Sequence, residues 1–193
     1  MGLNMNLEKV ERLIREINAV HGIFSKEYFN QVGAEPLNLK KIINHVPIEY
    51  ILKYRLYLHE SINDYLYRTD LEDVNYYYRV KTNESIEYKI NRFKEREDKY
   101  PVNNWMNDLF GCRIIIDSNL IEEILDSLDD WEDEYGLKNW YLRKKEGYCG
   151  IQIYFKNKNN QYFPWELQIW DKLDAEMNIR NHRKCKREFL KDI

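Results

Sequence analysis

Five short β-prone runs between residues 76 and 169 limit this chain to folds that are built around a sheet. The runs are Tyr76–Val80, Cys112–Ile116, Trp140–Arg143, Ile151–Phe155 and Phe163–Ile169. A turn at Asn157–Asn160 would join the last two runs into a hairpin. Helical patterns lie between and after the runs, at Ser85–Lys94, Leu120–Leu128 and Asp171–Leu190. This mixture predicts an α+β domain with a sheet of about five strands and helices packed beside it.

The first 74 residues carry helical signals and no strand signal. Apolar residues recur at helical spacing at Leu7, Val10, Leu13, Ile14 and Ile17. A second helix is expected near residues 38–45, and a third from Pro47 to about Tyr67, since proline suits the first turn of a helix. We therefore expect a helical N-terminal extension over residues 1–74 and an α+β domain over residues 75–193.

The composition argues against several classes of protein. Mean hydropathy is -0.75, and no apolar run approaches the roughly 20 residues that a membrane helix needs. The first residues have no basic segment followed by an apolar one, so we expect no signal peptide and a cytoplasmic protein. The spacing of Cys112, Cys149 and Cys185 supports neither a disulfide framework nor a zinc site. The net charge of -3 argues against nucleic-acid binding over the whole surface but leaves local basic patches open.

Cationic and hydroxyl side chains gather where the first strand meets the following helix. They are Arg79, Lys81, Ser85, Lys89 and Arg92. The last three are four and three residues apart, so they share one face of a helix. The N-terminus of that helix also favours anions, which suits a bound polyphosphate. The alternative is a solvated basic face that pairs with neighbouring glutamates.

Two acidic residues stand at the ends of apolar strands. Asp108 precedes the run Gly111–Ile116, and Glu166 lies within Trp165–Ile169. A carboxylate in such a place is costly unless it is paired or bound to a metal. Two carboxylates from neighbouring strand ends can hold Mg²⁺, which takes oxygen ligands and shares its coordination shell with substrate phosphates. The alternative for each acid is a salt bridge, from Asp108 to Arg113 or from Glu166 to a nearby lysine.

The segment Lys144–Tyr148 leads into the fourth run with a glycine directly before an aromatic residue. A ring presented in this way can serve as a stacking platform for a nucleic base. The alternative is that Tyr148 is a packing residue, as most of the 16 tyrosines of the chain would be.

The order of these motifs resembles that of the RelA/SpoT synthetase domain. The motifs are, in order, Arg79-Val80-Lys81, Ser85-Ile86, Lys89, Asp108-Leu109, Gly111, Arg113-Ile114-Ile115, Gly147-Tyr148 and Glu166-Leu167-Gln168-Ile169. His182 follows sixteen residues after Glu166, an interval similar to that of the small, single-domain members. The resemblance covers about residues 75–187, and it points to a small alarmone synthetase or a toxic small alarmone synthetase.

The resemblance implies a nucleotidyltransferase-like mixed sheet that binds ATP and moves its β,γ-pyrophosphate to a ribose 3′-hydroxyl. By position, the residues that would grip the ATP phosphates are Arg79, Lys81, Ser85, Lys89 and Arg92. Asp108 and Glu166 would be the catalytic residues and would hold Mg²⁺, and Glu166 would also help to deprotonate the attacking hydroxyl. The residues on the acceptor side would be Lys144, Tyr148, Gln152, Gln168 and His182. The family's hydrolase domain uses His-Asp pairs, which this sequence lacks, so no hydrolysis of the product is expected.

Four positions depart from the family pattern, all on the acceptor side or the closing helix. Gly150 and Gln152 stand where a serine and a histidine are common. Trp170 stands where an arginine is frequent, and Asn181 replaces a glutamate. The donor motif is intact, so ATP use is expected. The acceptor is expected to be GDP or GTP, which would give (p)ppGpp-type alarmones. A purely binding descendant without catalysis is a further alternative.

The other candidate acceptor is the 3′-CCA end of tRNA, the target of some toxic small synthetases. The chain is closer to those toxins in ending soon after His182 and in carrying a longer helical N-terminus. Five cations on the closing helix could contact an RNA backbone: Arg180, Arg183, Lys184, Lys186 and Arg187. The alternative for these cations is a solvated helix face. A toxin would have an antitoxin protein as partner, and a homo-oligomer is also possible.

Overall fold

Two long helices, α1 (Leu7–Val32) and α2 (Ile48–Leu66), form most of the N-terminal region. The computed structural model describes residues 5–32, 35–97, 99–145, 147–156 and 160–189, with side chains described for all of these except Val32 and 182–189. The apolar stripe predicted for α1 is confirmed, because Val10, Leu13, Ile14 and Ile17 are fully buried. Pro47 directly precedes α2, as expected for a residue that favours the start of a helix.

The helix predicted over residues 38–45 is wrong. The chain there forms one turn of 3-10 helix, Ile43–His45. Backbone hydrogen bonds to distant segments replace the helical ones: the amide of Leu39 donates to the carbonyl oxygen of Asn160 at 2.8 Å, and the amide of Asn103 donates to the carbonyl oxygen of Leu39 at 3.0 Å. These tertiary bonds outweigh the local helical preference of the segment.

In the described part of the chain, five strands form one mixed sheet, which confirms the predicted fold class. They are β1 (Tyr76–Val80), β2 (Phe110–Ile116), β3 (Leu137–Lys145), β4 (Tyr148–Phe155) and β5 (Trp165–Asp171). The strand order is β1-β2-β5-β4-β3; β2 and β5 are parallel, and the other neighbours are antiparallel. Strands β4 and β5 pair as the predicted hairpin requires, while residues 157–159 of its turn lie outside the described residues.

Four further helices connect or follow the strands. They are α3 (Asn83–Lys94), α4 (Val102–Trp105), α5 (Ser118–Tyr135) and α6 (Lys172–Phe189). Helix α5 ends at Gly136, whose φ of 69° is in the left-handed region that glycine adopts without steric cost. None of the helices in the described ranges combines the length and the apolar content that crossing a membrane would require.

The two faces of the sheet differ in chemistry. Because successive side chains of a strand point to opposite faces, Ile114 of β2 and Leu167 of β5 share one face, and both are fully buried in the hydrophobic core. Leu13 of α1 and Ile124 of α5 belong to the same core, which therefore continues from the N-terminal helices to the sheet. The alternate residues, such as Glu166, form the opposite and largely polar face.

Candidate active site

A cavity of about 470 Å³ opens on the polar face of the sheet. Its volume lies in the range of about 300–1,000 Å³ that is usual for small-molecule sites. The sequence-predicted residues that line it are Arg79, Lys89, Arg92, Asp108, Tyr148, Gln152, Glu166 and Gln168. Residues that lie far apart in the sequence, on β1, α3, β4 and β5 and just before β2, therefore meet at one place.

Three cations surround the carboxylate of Asp108. Lys81 Nζ donates to Oδ2 at 2.7 Å, and Lys89 Nζ donates to Oδ1 at 2.9 Å. Nη2 of Arg79 lies 3.8 Å from Oδ2. Burial by itself would raise the pKa of Asp108, but the charges of Lys89, Lys81 and Arg79 hold that pKa well below its usual range. Asp108 is therefore an ionised carboxylate in a strongly positive setting.

Glu166 is the centre of a hydrogen-bond network. The hydroxyl of Tyr154 donates to Oε1 at 2.9 Å, and Nε2 of Gln168 donates to Oε2 at 2.8 Å. Arg79 Nη2 also donates to Oε2, at 3.3 Å, and the hydroxyl of Tyr141 lies 2.7 Å from that of Tyr154. Burial and the nearby charge of Glu166 raise the pKa of Tyr154, so its hydroxyl stays protonated and can donate. These contacts fix the orientation of the Glu166 carboxylate.

The carboxylates of Asp108 and Glu166 share one neighbour, the guanidinium of Arg79. Glu166 pairs with Gly111 across the parallel strands β5 and β2, and Asp108 lies just before β2. One nitrogen of Arg79 contacts both, at 3.3 Å from Glu166 and 3.8 Å from Asp108. The pairs named as the alternative do not form between described side chains, because Arg113 donates to Oε1 of Gln168, at 3.0 and 2.7 Å, and the cation beside Glu166 is Arg79. Both acids are nevertheless salt-bridged, Asp108 mainly to Lys81 and Lys89 and Glu166 to Arg79.

Asp108 and Glu166 are the described residues that could hold a magnesium ion, since Mg²⁺ commonly binds through one or two carboxylates together with substrate phosphates. Lys81, Lys89 and Arg79 already balance the charge of Asp108, so the ion would have to displace part of these contacts. Among the described residues, no group of three or more His, Cys, Asp or Glu side chains could hold a metal by itself. Substrate phosphates or water would therefore have to complete the coordination.

Lys81 and Ser85 are not among the described residues that line the cavity. The side chain of Lys81 is 11% exposed and lies against Asp108. Burial lowers the pKa of Lys81, although the charge of Asp108 opposes that shift. The amide of Ser85 donates to Oγ1 of Thr82 at 3.4 Å, so Ser85 belongs to the N-terminal cap of α3.

Tyr148 lines the cavity together with two cations of β3, Arg143 and Lys145. The guanidinium carbon of Arg143 lies 5.8 Å from the centre of the Tyr148 ring. Nε1 of Trp170 donates to the Tyr148 hydroxyl at 2.9 Å. The ring is therefore tethered at its hydroxyl end and half-buried, which leaves part of it open to the cavity.

Lys144 and His182, two residues predicted for the acceptor side, are not among the described residues that line the cavity. On β3 the residues that line the cavity are Tyr141, Arg143 and Lys145, so Lys144 belongs to the alternate set of side chains, which face the other side of the sheet. In place of Lys144, the cations of β3 that line the cavity are Arg143 and Lys145. His182 lies on α6, but its side chain is outside the described part of the chain.

Several cavity residues were not predicted from the sequence. Tyr141 and Tyr154 are two of them. The alternation Ile151-Gln152-Ile153-Tyr154 along β4 is the signal that could have found Tyr154, whereas Tyr141 stands in the unbroken run Trp140–Leu142 and has no such signal. Phe93 and Trp105 also line the cavity, with ring centres 4.3 Å apart and nearly parallel planes. They come from two different helices, and no sequence pattern brings them together.

Comparisons with known proteins give structural neighbours only. Neither a family model nor a curated protein matches the sequence. The small alarmone synthetase 1 from Bacillus subtilis is similar with 18% identity and a TM-score of 0.41, over 70% of this chain and 72% of that chain. The small alarmone synthetase 2 from Bacillus subtilis is similar with 21% identity and a TM-score of 0.36, over 72% and 78% of the two chains.

Proposed function

We propose that this protein is an ATP-dependent pyrophosphokinase that transfers the β,γ-pyrophosphate of ATP to the ribose 3′-hydroxyl of GDP or GTP. The products would be AMP and a (p)ppGpp-type alarmone. The observation that carries the proposal is the convergence of Asp108 and Glu166 on one nitrogen of Arg79 in a cavity with several cations. Phosphoryl transfer depends mainly on positioning and on neutralising negative charge, and this cavity supplies groups for both.

The donor would lie along the side formed by β1 and α3. The cations that line the cavity there are Arg79, Lys89 and Arg92. Their positive charges would attract the negative charges of a polyphosphate. Lys81 supports this side indirectly by neutralising the buried carboxylate of Asp108. When bound between Asp108 and Glu166, Mg²⁺ would neutralise charge on the transferred group.

Glu166 is the candidate base for the attacking hydroxyl. Each carboxylate oxygen can accept about two hydrogen bonds. Oε2 receives bonds from Gln168 and, at 3.3 Å, from Arg79, whereas Oε1 receives one from Tyr154 and retains capacity for the acceptor 3′-hydroxyl. Mg²⁺ would therefore have to take the place of Arg79 at Oε2. In the reaction, the 3′-oxygen would bond to the β-phosphorus as the bond to the α-phosphate oxygen breaks. AMP would leave, and Glu166 would take the hydroxyl proton.

The acceptor would lie on the side formed by β3 and β4. The ring of Tyr148, which lines the cavity, would stack on the acceptor base, an interaction worth about 1–3 kcal/mol in other nucleic-acid sites. Arg143 and Lys145 line the cavity beside it and can contact the acceptor phosphates. Gln152 and Gln168 supply neutral amides on the same face.

A tRNA 3′ end is the second candidate acceptor. Helix α6 contributes Asn181 to the cavity, so this helix borders the acceptor side. The same helix carries five cations within eight residues, from Arg180 to Arg187, which suits a phosphate backbone that approaches from outside. A toxin that acts in this way would be paired with an antitoxin.

Thin-layer chromatography with γ-labelled ATP tests both acceptors in parallel. GDP, GTP and deacylated tRNA are each supplied as the acceptor, with Mg²⁺ present. We expect the label to move to GDP or GTP. Transfer to tRNA alone would replace the guanine-nucleotide proposal by the toxin alternative. Label that stays in ATP with every acceptor would contradict pyrophosphate transfer to either class.

A further inference from the structure

Trp170 is a buried aromatic residue on the polar face of the sheet. It follows Glu166 and Gln168 at alternate positions of β5, so all three side chains lie on the same face. Trp170 is 1% exposed. Its Nε1 donates to the hydroxyl of Tyr148 at 2.9 Å, and the two rings meet edge to face with centres 5.9 Å apart. The position of the Tyr148 ring therefore depends on Trp170.

Trp170 also contacts a cation, Arg113, that is linked to Glu166 through Gln168. The guanidinium carbon of Arg113 lies 3.6 Å from the centre of the Trp170 ring, within the range of a cation–π contact. Arg113 donates twice to Oε1 of Gln168, and Gln168 donates to Glu166. A continuous series of contacts therefore joins Tyr148 to Glu166 through Trp170, Arg113 and Gln168.

Gly150 of the neighbouring strand β4 leaves room for the indole ring of Trp170. A Cβ atom at residue 150 would lie 2.8 Å from Cδ1 of Trp170 and 3.1 Å from the Tyr148 hydroxyl oxygen. Even alanine at this position would therefore push against both rings. Gly150 and Trp170 are two departures from the family pattern that depend on each other in space.

We propose that Trp170 is a positioning residue that sets acceptor binding. It holds Tyr148 through the indole N–H, and it orients Glu166 through Arg113 and Gln168. Gly150 is the glycine that this arrangement requires. The inference rests on the proposed function for the statement that Tyr148 faces the acceptor base, so its test measures binding separately from transfer.

The first test compares Trp170→Phe with the unchanged protein by calorimetry. This substitution removes the N–H donor and keeps an aromatic ring. We expect the Kd for GDP, or for deacylated tRNA if that is the acceptor, to rise about three- to tenfold, as loss of one hydrogen bond predicts. The Kd for a non-hydrolysable ATP analogue should stay within about twofold. Trp140→Phe is the matched control, since Trp140 is 42% exposed and belongs to the alternate side-chain set of β3.

A double variant tests whether the effect acts through Tyr148. Tyr148→Phe removes the partner hydroxyl, so Trp170→Phe should weaken acceptor binding little further in that background. The inference would be overturned if the losses of acceptor affinity in the two single variants were fully additive. It would also be overturned if Trp170→Phe left the acceptor Kd unchanged, or if it raised the Kd for the acceptor and for the ATP analogue equally. If Trp170→Phe weakens acceptor binding selectively but the unchanged protein transfers no label, the proposed function is wrong and the inference stands. An unchanged protein that binds neither GDP nor tRNA would overturn both.

A stability measurement tests the coupling of Gly150 to Trp170 without any ligand. Gly150→Ala should lower the urea midpoint, because the new methyl group meets the indole. In a Trp170→Leu background the same change should lower the midpoint less, since the smaller side chain removes the closest of the three contacts, while those with the carbonyl oxygen of Ile169 and the Tyr148 hydroxyl, both at 3.1 Å, remain. Equal shifts in the two backgrounds would show that the two residues are not coupled, contrary to the proposal.

Discussion

The ammonium nitrogen of Lys81 lies 2.7 Å from Oδ2 of Asp108, and the two side chains are only 11% and 12% exposed. A buried carboxylate is costly unless a cation and hydrogen bonds compensate for its lost hydration. Lys81 therefore helps to keep Asp108 charged inside the protein. This gives Lys81 a structural role in addition to any effect on ATP.

We expect Lys81→Met to lower the free energy of unfolding by about 1–3 kcal/mol, because it leaves Asp108 with less compensation. Combining it with Asp108→Asn should restore part of that loss, since the uncompensated charge is removed. Urea denaturation measures both effects. The control is Lys172→Met, which breaks the exposed pair of Lys172 with Asp117 and should cost about 0–1 kcal/mol. Equal losses for Lys81→Met and Lys172→Met would contradict this account.

The side-chain alternation of β3 predicts opposite results for neighbouring lysines. Lys145→Ala and Arg143→Ala should each weaken acceptor use about ten- to a hundredfold, as expected for one charge-assisted contact. Lys144→Ala should change it less than about twofold, because Lys144 belongs to the alternate set of side chains. Steady-state kinetics with varied acceptor concentration measure the difference. A larger effect from Lys144 than from Lys145 would contradict the strand register.

The buried His21 predicts a pH dependence of stability. Burial lowers the pKa of His21 from 6.5 to about 3, so the folded protein keeps this imidazole neutral. The unfolded chain binds a proton below pH 6.5, and stability should therefore fall as the pH decreases from 6.5 towards 3. Between pH 6.5 and 5 the loss from this residue should be about 2 kcal/mol.

Urea denaturation at pH 7 and pH 5 measures that loss. The variant His21→Gln should remove most of the difference between the two pH values. The control His59→Gln should keep it, because His59 is exposed. An unchanged pH dependence in His21→Gln would mean that His21 does not cause it.

Much of the fold could be predicted because the strands are apolar runs on which a core must form. The strand ends could not be placed as well. The run Trp140–Arg143 was predicted, but β3 extends to Lys145, whose backbone pairs with Tyr148 of β4. The segment 38–45 was misassigned because its backbone bonds lead to residues that are distant in the sequence.

The candidate site was predictable where a residue acts through its place in a motif. Asp108 and Glu166 were found in that way, and they share a cavity. The network around Glu166 was not predictable, because Tyr154 reaches it through the pairing of β4 with β5. Strand pairing also decides on which face of the sheet Lys144 lies, because a difference of one residue along a strand moves a side chain to the other face.

The most direct test of pyrophosphate transfer follows the AMP part and the pyrophosphate part of ATP in parallel. Reactions with α-labelled and γ-labelled ATP, GDP or GTP and Mg²⁺ are separated by chromatography. We expect AMP and pyrophosphorylated acceptor in equal amounts. Asp108→Asn and Glu166→Gln should lower the rate about a hundredfold or more, as loss of one key electrostatic group does elsewhere. The substitution Asp117→Asn, at an exposed carboxylate, should not lower the rate. Formation of ADP in place of AMP, or full activity in both carboxylate variants, would contradict pyrophosphate transfer at this site.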